Sequence, residues 1–505
     1  MADNCAVSHE RYRQILTDDT NLRQDLLEDS IKSRAALDSL RLEANAKLDP
    51  KKKGELGQYM TASNIAEFMA SLFDVPCEPA KLLDCGAGIG SLTVAATRKL
   101  RRVAGVDLWE IDPIMRGYLE ANIKSLNIPY VLHGADFIVD AVVNIASHGG
   151  TRFTHAILNP PYKKIGSSSE HRLWLRKVGI ETVNLYTAFL ALTILLMEKD
   201  GQVVAIMPRS FCNGPYYKPF RELMLRECSI EHIHVFDSRS KAFKDDEVLQ
   251  ENIILKLIRG KAQSDVVVSW SHDHKLTDYI ARTVPFSQVV KPNDEQLFIH
   301  IQTEEPSLDA DRLFKCELTE LDLEVCTGPV VDFRVKEFWL RDPTANSFPL
   351  LYPHHFVNGE FVYPREHKKP NALKRHAEVE KWLMPNGFYV IVKRFSAKEE
   401  RRRVVAYIVD PETTKSDKIG FENHWNVFHF KKKGIDPLIA KGLACFLNST
   451  RLDDHFRVFS GHTQVNATDL RNMEYPSSET LKTLGRSYYS TMTQQQIDQL
   501  IEKLI

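Results

Sequence analysis

Between residue 81 and about residue 260, short apolar runs alternate with helical ones. This alternation restricts the fold more than any other feature of the chain. The runs are KLLDC (81–85), RVAGVDL (102–108), YVLHGADF (130–137), THAIL (154–158), QVVAIMP (202–208), IEHIHVFD (230–237) and NIILKLIR (252–259). Helix-like segments lie between the early ones, at 91–101, 113–126 and 184–198. Strand-length runs separated by helical crossovers predict an α/β, doubly wound sheet. The last two runs predict an antiparallel hairpin at its edge.

A chain of 505 residues exceeds one ordinary core. Three parts are expected. Residues 1–50 form an N-terminal helical arm, because Ile15, Leu22, Leu26, Leu27, Leu37, Leu40 and Leu42 recur at roughly helical spacing. The plain reading of this arm is packing on a domain or a partner. Residues 51–265 hold the doubly wound sheet. Residues 266–505, with poorer periodicity, form a C-terminal α+β domain. The start lacks the apolar core of a signal peptide, no apolar run is long enough to cross a membrane, and the eight cysteines include no C-x-x-C pair. These features predict a reduced, cytoplasmic protein without a metal site. A net charge of −1 gives no overall support for nucleic-acid binding. The basic character is local, in YPREHKKPNALKRH (363–376) and KRFSAKEERRR (393–403).

Four motifs carry chemistry. In LLDCGAGIGSL (82–92), a strand ends at Asp84, and Gly86, Gly88 and Gly90 permit a tight turn with close approach of a ligand. Asp84 is placed to meet a cationic or amine group. In VAGVDLWEIDP (103–113), Glu110 lies where an acidic residue bonds ribose hydroxyls, with Asp107 and Asp112 as competitors and one of the three free to cap the helix at Pro113. In HGADF (133–137), Asp136 accepts from an adenine amine and Phe137 packs on the purine, or the pair is only a loop acid before a buried ring.

The fourth motif is LNPPY (158–162), which ends a strand with two prolines. An exocyclic amine on a planar base is a poor nucleophile, because its lone pair is delocalised. The Asn159 side-chain oxygen and the Pro160 carbonyl, held rigidly, accept from that amine and stabilise the charge that develops as it attacks. Tyr162 offers a face for stacking on the base.

The order of these motifs resembles the S-adenosylmethionine-dependent amino-group DNA methyltransferases, gamma arrangement. GELGQYMTASNIAEFM (54–69) is similar to the segment that closes over the methionine part of the cofactor, which implicates Tyr59 and Thr61. AFKDDEVLQENIIL (242–255) is similar to the motif that supplies a second aromatic, here Phe243, against the target base. GFYVIVKRFSAKEERRR and SGHTQVNATDLRNMEYP look like the specificity region of type II modification methylases of the PstI/BsuBI kind.

The resemblance implies a Rossmann-like methyltransferase sheet followed by a target-recognition domain. It implies N6 methylation of adenine in a short, palindromic site of double-stranded DNA, with CTGCAG as the suggested site. It further implies base flipping and functional pairing with a separate restriction endonuclease in a bacterial, nucleoid-associated setting. DNA contacts are expected from Lys368, Lys369, Lys393, Arg394, Arg401, Arg402, Arg403, Gln464 and Asn466, with Phe388, Tyr389 and Phe395 interleaved. Two other readings stay open: a methyltransferase acting on RNA or protein glutamine, and a DNA-binding module without activity. A domain of some 200 residues after the core favours the DNA enzyme.

Overall fold

The computed structural model describes residues 22–48, 60–148, 150, 152–236, 251–272, 276–302, 313–357, 360–396, 400–460 and 464–504. The chain divides into two compact units, Met1–Thr303 and Glu304–Ile505.

The first unit is built on a nine-stranded sheet: β1 (Ala80–Cys85), β2 (Val103–Trp109), β3 (Tyr130–His133), β4 (Phe153–Leu158), β5 (Met197–Pro208), β6 (Cys228–Phe236), β7 (Asn252–Arg259), β8 (Val266–Ser271) and β9 (Ile280–Val284). Their order is β3-β2-β1-β4-β5-β7-β6-β8-β9. The first five pair in parallel, and β7 runs antiparallel between β5 and β6. Parallel strands with both faces covered read as continuous apolar runs, which is why β1, β4 and β5 are legible in the sequence. Two clusters of buried residues fill the faces: one around Leu158, Leu190 and Ile253, the other around Leu82, Val106 and Ile254. The strand order reverses between β1 and β4. In doubly wound sheets, ligands bind at that switch point, beyond the carboxyl ends of the strands.

Three expectations need correction. The β6–β7 pair is not at the sheet edge, because β6 pairs in parallel with β8, and β8 pairs with β9. These two strands extend the first unit past residue 265, so the division falls at Thr303 and not at 265. The run 130–137 is not one strand: β3 stops at His133, and a helix occupies Phe137–His148. Asp136 causes the break, since its Oδ1 accepts from the N–H groups of Ile138 (2.8 Å) and Val139 (3.4 Å) and so caps the helix.

The N-terminal arm contains the helix Leu22–Lys47. It packs on the helices Ser63–Ser71 and Pro113–Lys124. Arg34 pairs with Glu67 (2.6 Å), Asp38 accepts from the Ser63 N–H (3.1 Å), and Lys47 bonds the Tyr118 hydroxyl (2.6 Å). Ala44, Leu48, Met60, Ile89 and Met115 form an apolar cluster beneath it.

The second unit is α+β. A four-stranded antiparallel sheet runs in the order 324–327, 425–429, 389–393, 406–409. A five-stranded sheet holds 339–340, 372–374, 347–351, 418–421 and 384–385. The helices Pro437–Leu447 and Ser478–Ser487 pack so closely that a Cβ on Gly442 would stand 1.8 Å from the Leu481 carbonyl oxygen.

Candidate active site

The glycine turn after β1 is held by its neighbour strand. The N–H groups of Gly86 and Ala87 donate to the Trp109 carbonyl at the end of β2 (2.8 and 2.9 Å). The Gly88 N–H donates to Glu110 Oε2 (2.8 Å), and Glu110 Oε1 accepts from the Asp112 N–H (2.8 Å). Burial raises the Glu110 carboxyl above its ordinary pKa, against these two bonds. Asp112 caps the helix at Pro113 by accepting from Ile114 and Met115. The three competing acids thus separate: Asp112 caps, Asp107 stays on β2, and Glu110 faces the cavity.

Thr61, Gly86, Gly88, Glu110, Asp136, Phe137 and Asn159 line one cavity at the carboxyl ends of β1, β2 and β4. Its apolar wall also includes Trp109 and Phe189, which flank Phe137 at ring-centroid distances of 5.4 and 5.0 Å. Leu48, just past the N-terminal helix, closes part of it. A Cβ at Gly88 would meet nothing within 4 Å, so this backbone faces open space.

Other expected residues lie elsewhere. Asp84 does not line the cavity. It is fully buried on a central strand, accepts from the Thr93 hydroxyl (2.6 Å), and is pushed up to about 7 by burial. Gly90 does not line it either. Its φ is +91°, and a Cβ there would stand 2.8 Å from Leu119 Cδ1, so its smallness serves helix packing. Gly90→Ala is expected to destabilise the first unit by about 1–3 kcal/mol, measured by chemical denaturation. Pro160 and Tyr162 are not among the lining residues, whereas Pro161 is. Tyr59 and Phe243 lie outside the described residues.

Asn159 is 9% exposed, and its amide is held at both ends. Its Nδ2 donates to Thr61 Oγ1 (3.0 Å), and its Oδ1 accepts from the Tyr162 hydroxyl (2.9 Å). The Tyr162 ring meets Tyr186 edge-on, with centroids 6.1 Å apart. In this arrangement Tyr162 orients the amide.

His171 is a further member that no spacing in the sequence signals. Its Nε2 lies 2.7 Å from Asp136 Oδ2. Burial pushes Asp136 up, but His171 and the helix N–H groups outweigh it and hold the carboxyl below 3.8. The bond to Asp136 raises His171 above 6.5, with burial opposing. The Asp136 contribution is therefore present above pH 3.8 and lost as pH falls through the depressed value. The His171 contribution is complete below pH 6.5 and lost as pH rises through the raised value. NMR titration is expected to place His171 above 6.5, and Asp136→Asn to return it toward that value.

Among the expected DNA contacts, Arg403 is corrected. It is 1% exposed, its N–H donates to Asp453 Oδ1 (2.6 Å), and its guanidinium lies over Phe456. Arg402 is half-buried and donates to the Asn448 carbonyl. Lys369 is paired with the buried Asp332. Asn466 caps the helix Ala467–Arg471 in a reciprocal box with Asp469. Lys368 and Arg401 are exposed; Lys393, Arg394 and Gln464 are partly so.

A glycine turn, an acid after the second strand and an Asn-Pro-Pro-Tyr loop, gathered at the switch point of such a sheet, define a methyltransferase. Residues 116–243 match the Eco57I restriction-modification methylase family. The chain is 48% identical to the type II methyltransferase M.BsuBI of Bacillus subtilis, over 93% of this chain and 97% of that one. It is 42% identical to the type II methyltransferase M.PstI of Providencia stuartii, over 92% and 96%. A tRNA1(Val) (adenine(37)-N6)-methyltransferase of Shewanella woodyi is 28% identical over 35% of this chain and 76% of its own length. The chain belongs to the type II methyltransferases of restriction-modification systems.

Proposed function

We propose that this enzyme transfers a methyl group from S-adenosylmethionine to the N6 amino group of adenine within a short site in double-stranded DNA. One observation carries the reading: the Asn159 amide is fixed between Thr61 and Tyr162 at the cavity edge, with Oδ1 as the oriented acceptor. An amide oxygen has two acceptor sites. Tyr162 orients that oxygen, which the reading assigns as an acceptor for the target amine.

The cavity fits the cofactor. The Glu110 carboxylate suits vicinal hydroxyls, the open face of Gly88 admits close approach, and Trp109, Phe137 and Phe189 suit a flat nucleoside base. When bound, S-adenosylmethionine supplies an electrophilic methyl group. Asn159 and the Pro160 carbonyl accept from the amine, favour a tetrahedral nitrogen and take up part of its developing positive charge. The proline pair keeps both acceptors in place without reorganisation. Phe243 and the ring of Tyr162 are assigned to the extruded base, which must leave the duplex stack to reach the donor. Lys368, Lys393, Arg394, Arg401 and Gln464 are assigned to DNA, and a palindrome such as CTGCAG to the site. A separate endonuclease is its functional partner.

Tyr162→Phe removes the hydroxyl that orients Oδ1 and keeps the ring. It is expected to lower the single-turnover rate about tenfold with unchanged melting, by the usual worth of one hydrogen bond. Substrate class is tested by offering labelled donor together with duplex DNA, tRNA and unfolded protein. The account expects label in duplex DNA. Label in tRNA alone would favour the RNA reading, which rests on the shorter match.

A further inference from the structure

In the second unit, the strand 389–393 pairs antiparallel with 425–429, and Lys393 stands opposite Trp425. The chain leaving one strand therefore meets the chain entering the other. Pro353, Lys393, Phe395 and His424 line a cleft there. Phe395 is a large apolar side chain left 50% exposed, with its ring 4.9 Å from that of His424. Beneath them lies Glu422, whose side chain is fully buried. It accepts from the His424 N–H (2.9 Å), and His424 Nδ1 lies 2.5 Å from the same carboxylate. With this carboxylate accepting at Nδ1, the neutral form of the ring presents Nε2 as an acceptor. The His424 side chain is 42% exposed.

From the DNA reading above, we infer that this cleft recognises one A·T base pair through the major groove. The chemistry selects the pair. Adenine presents the N7 acceptor beside the N6 donor, and only thymine adds a methyl group. Lys393 is a donor for N7, His424 Nε2 accepts from N6, and Phe395 gives an apolar contact for the methyl group. The buried Glu422 holds the ring so that its accepting nitrogen is not exchanged for the donor. A surface built only for phosphate has no use for the acceptor or the exposed ring.

The full chain, and its variants Lys393→Met, His424→Ala and Phe395→Ala, would each methylate a library of randomised duplexes, followed by sequencing of the methylated products. Lys393→Met and His424→Ala are expected to relax the preference for A·T at one and the same position by on the order of ten- to a hundredfold. Replacing that thymine by uracil, which lacks the methyl group, is expected to weaken the wild type and leave Phe395→Ala indifferent. His424→Ala strips Glu422 of its partner, so Lys393→Met decides if that variant misfolds. A uniform loss across all sequences with a shallower salt dependence would mark a phosphate contact and overturn the inference. Unchanged preferences in an active enzyme would overturn it alone, whereas a wild type inactive on duplex DNA would overturn the functional reading as well.

Discussion

Asn159→Ala is expected to lower single-turnover methyl transfer by about a thousandfold or more, while cofactor binding and melting change little. Loss of one preorganised polar group at a developing charge costs about 10²–10³ in rate. Here the alanine also removes the amide that Thr61 Oγ1 and the Tyr162 hydroxyl bond. Asn159→Asp separates geometry from charge, since it keeps the size and the acceptor and removes the Nδ2 donor to Thr61. It is expected to retain more activity than alanine. Rapid-quench assay with saturating cofactor measures both, with cofactor affinity determined separately by calorimetry. Equal loss of binding and rate in Asn159→Ala would reassign the residue to the cofactor.

Arg403→Glu is expected to destabilise the second unit by about 3–5 kcal/mol, because it reverses a buried, bonded charge. The new carboxylate would be buried where the guanidinium now lies over Phe456 and bonds Ser460 Oγ (3.4 Å). Arg401→Glu, two residues away and exposed, is expected to leave melting within about 0.5 kcal/mol. It would weaken DNA binding and flatten its salt dependence. Thermal melting of both variants, with DNA affinity at two salt concentrations, separates the roles. Equal stability of Arg403→Glu and wild type would contradict the burial of that guanidinium.

This pair of arginines shows where the sequence is informative and where it is not. In Arg401-Arg402-Arg403 three identical letters occupy exposed, half-buried and buried environments. A charge run reads as one surface, and only tertiary packing on Asp453 and Phe456 divides it. The central strands are legible because β1, β4 and β5 are buried over most of their length and carry short apolar stretches. The outermost strand β9 is exposed or half-buried until its last residue and carries a weaker signal. At the site, residues adjacent to strand ends are legible from spacing, as Gly86, Glu110 and Asn159 are. His171 and Phe189 reach the cavity from helices that follow β4 by connections without a fixed length. Leu48 reaches it from just past the end of the N-terminal helix. Asp84 and Gly90 belong to the glycine motif yet face inward, because a strand and a helix start each present more than one side.

The most direct test of the account is the identity of the methylated base. The enzyme is incubated with duplex DNA carrying its site and S-adenosylmethionine bearing a deuterated methyl group. The DNA is then digested to nucleosides for mass spectrometry. The account predicts the heavy methyl group in N6-methyldeoxyadenosine, at one adenine per strand of the site, and its loss with Asn159→Ala. Label in a methylated cytosine, or undiminished N6-methyldeoxyadenosine with Asn159→Ala, would contradict it.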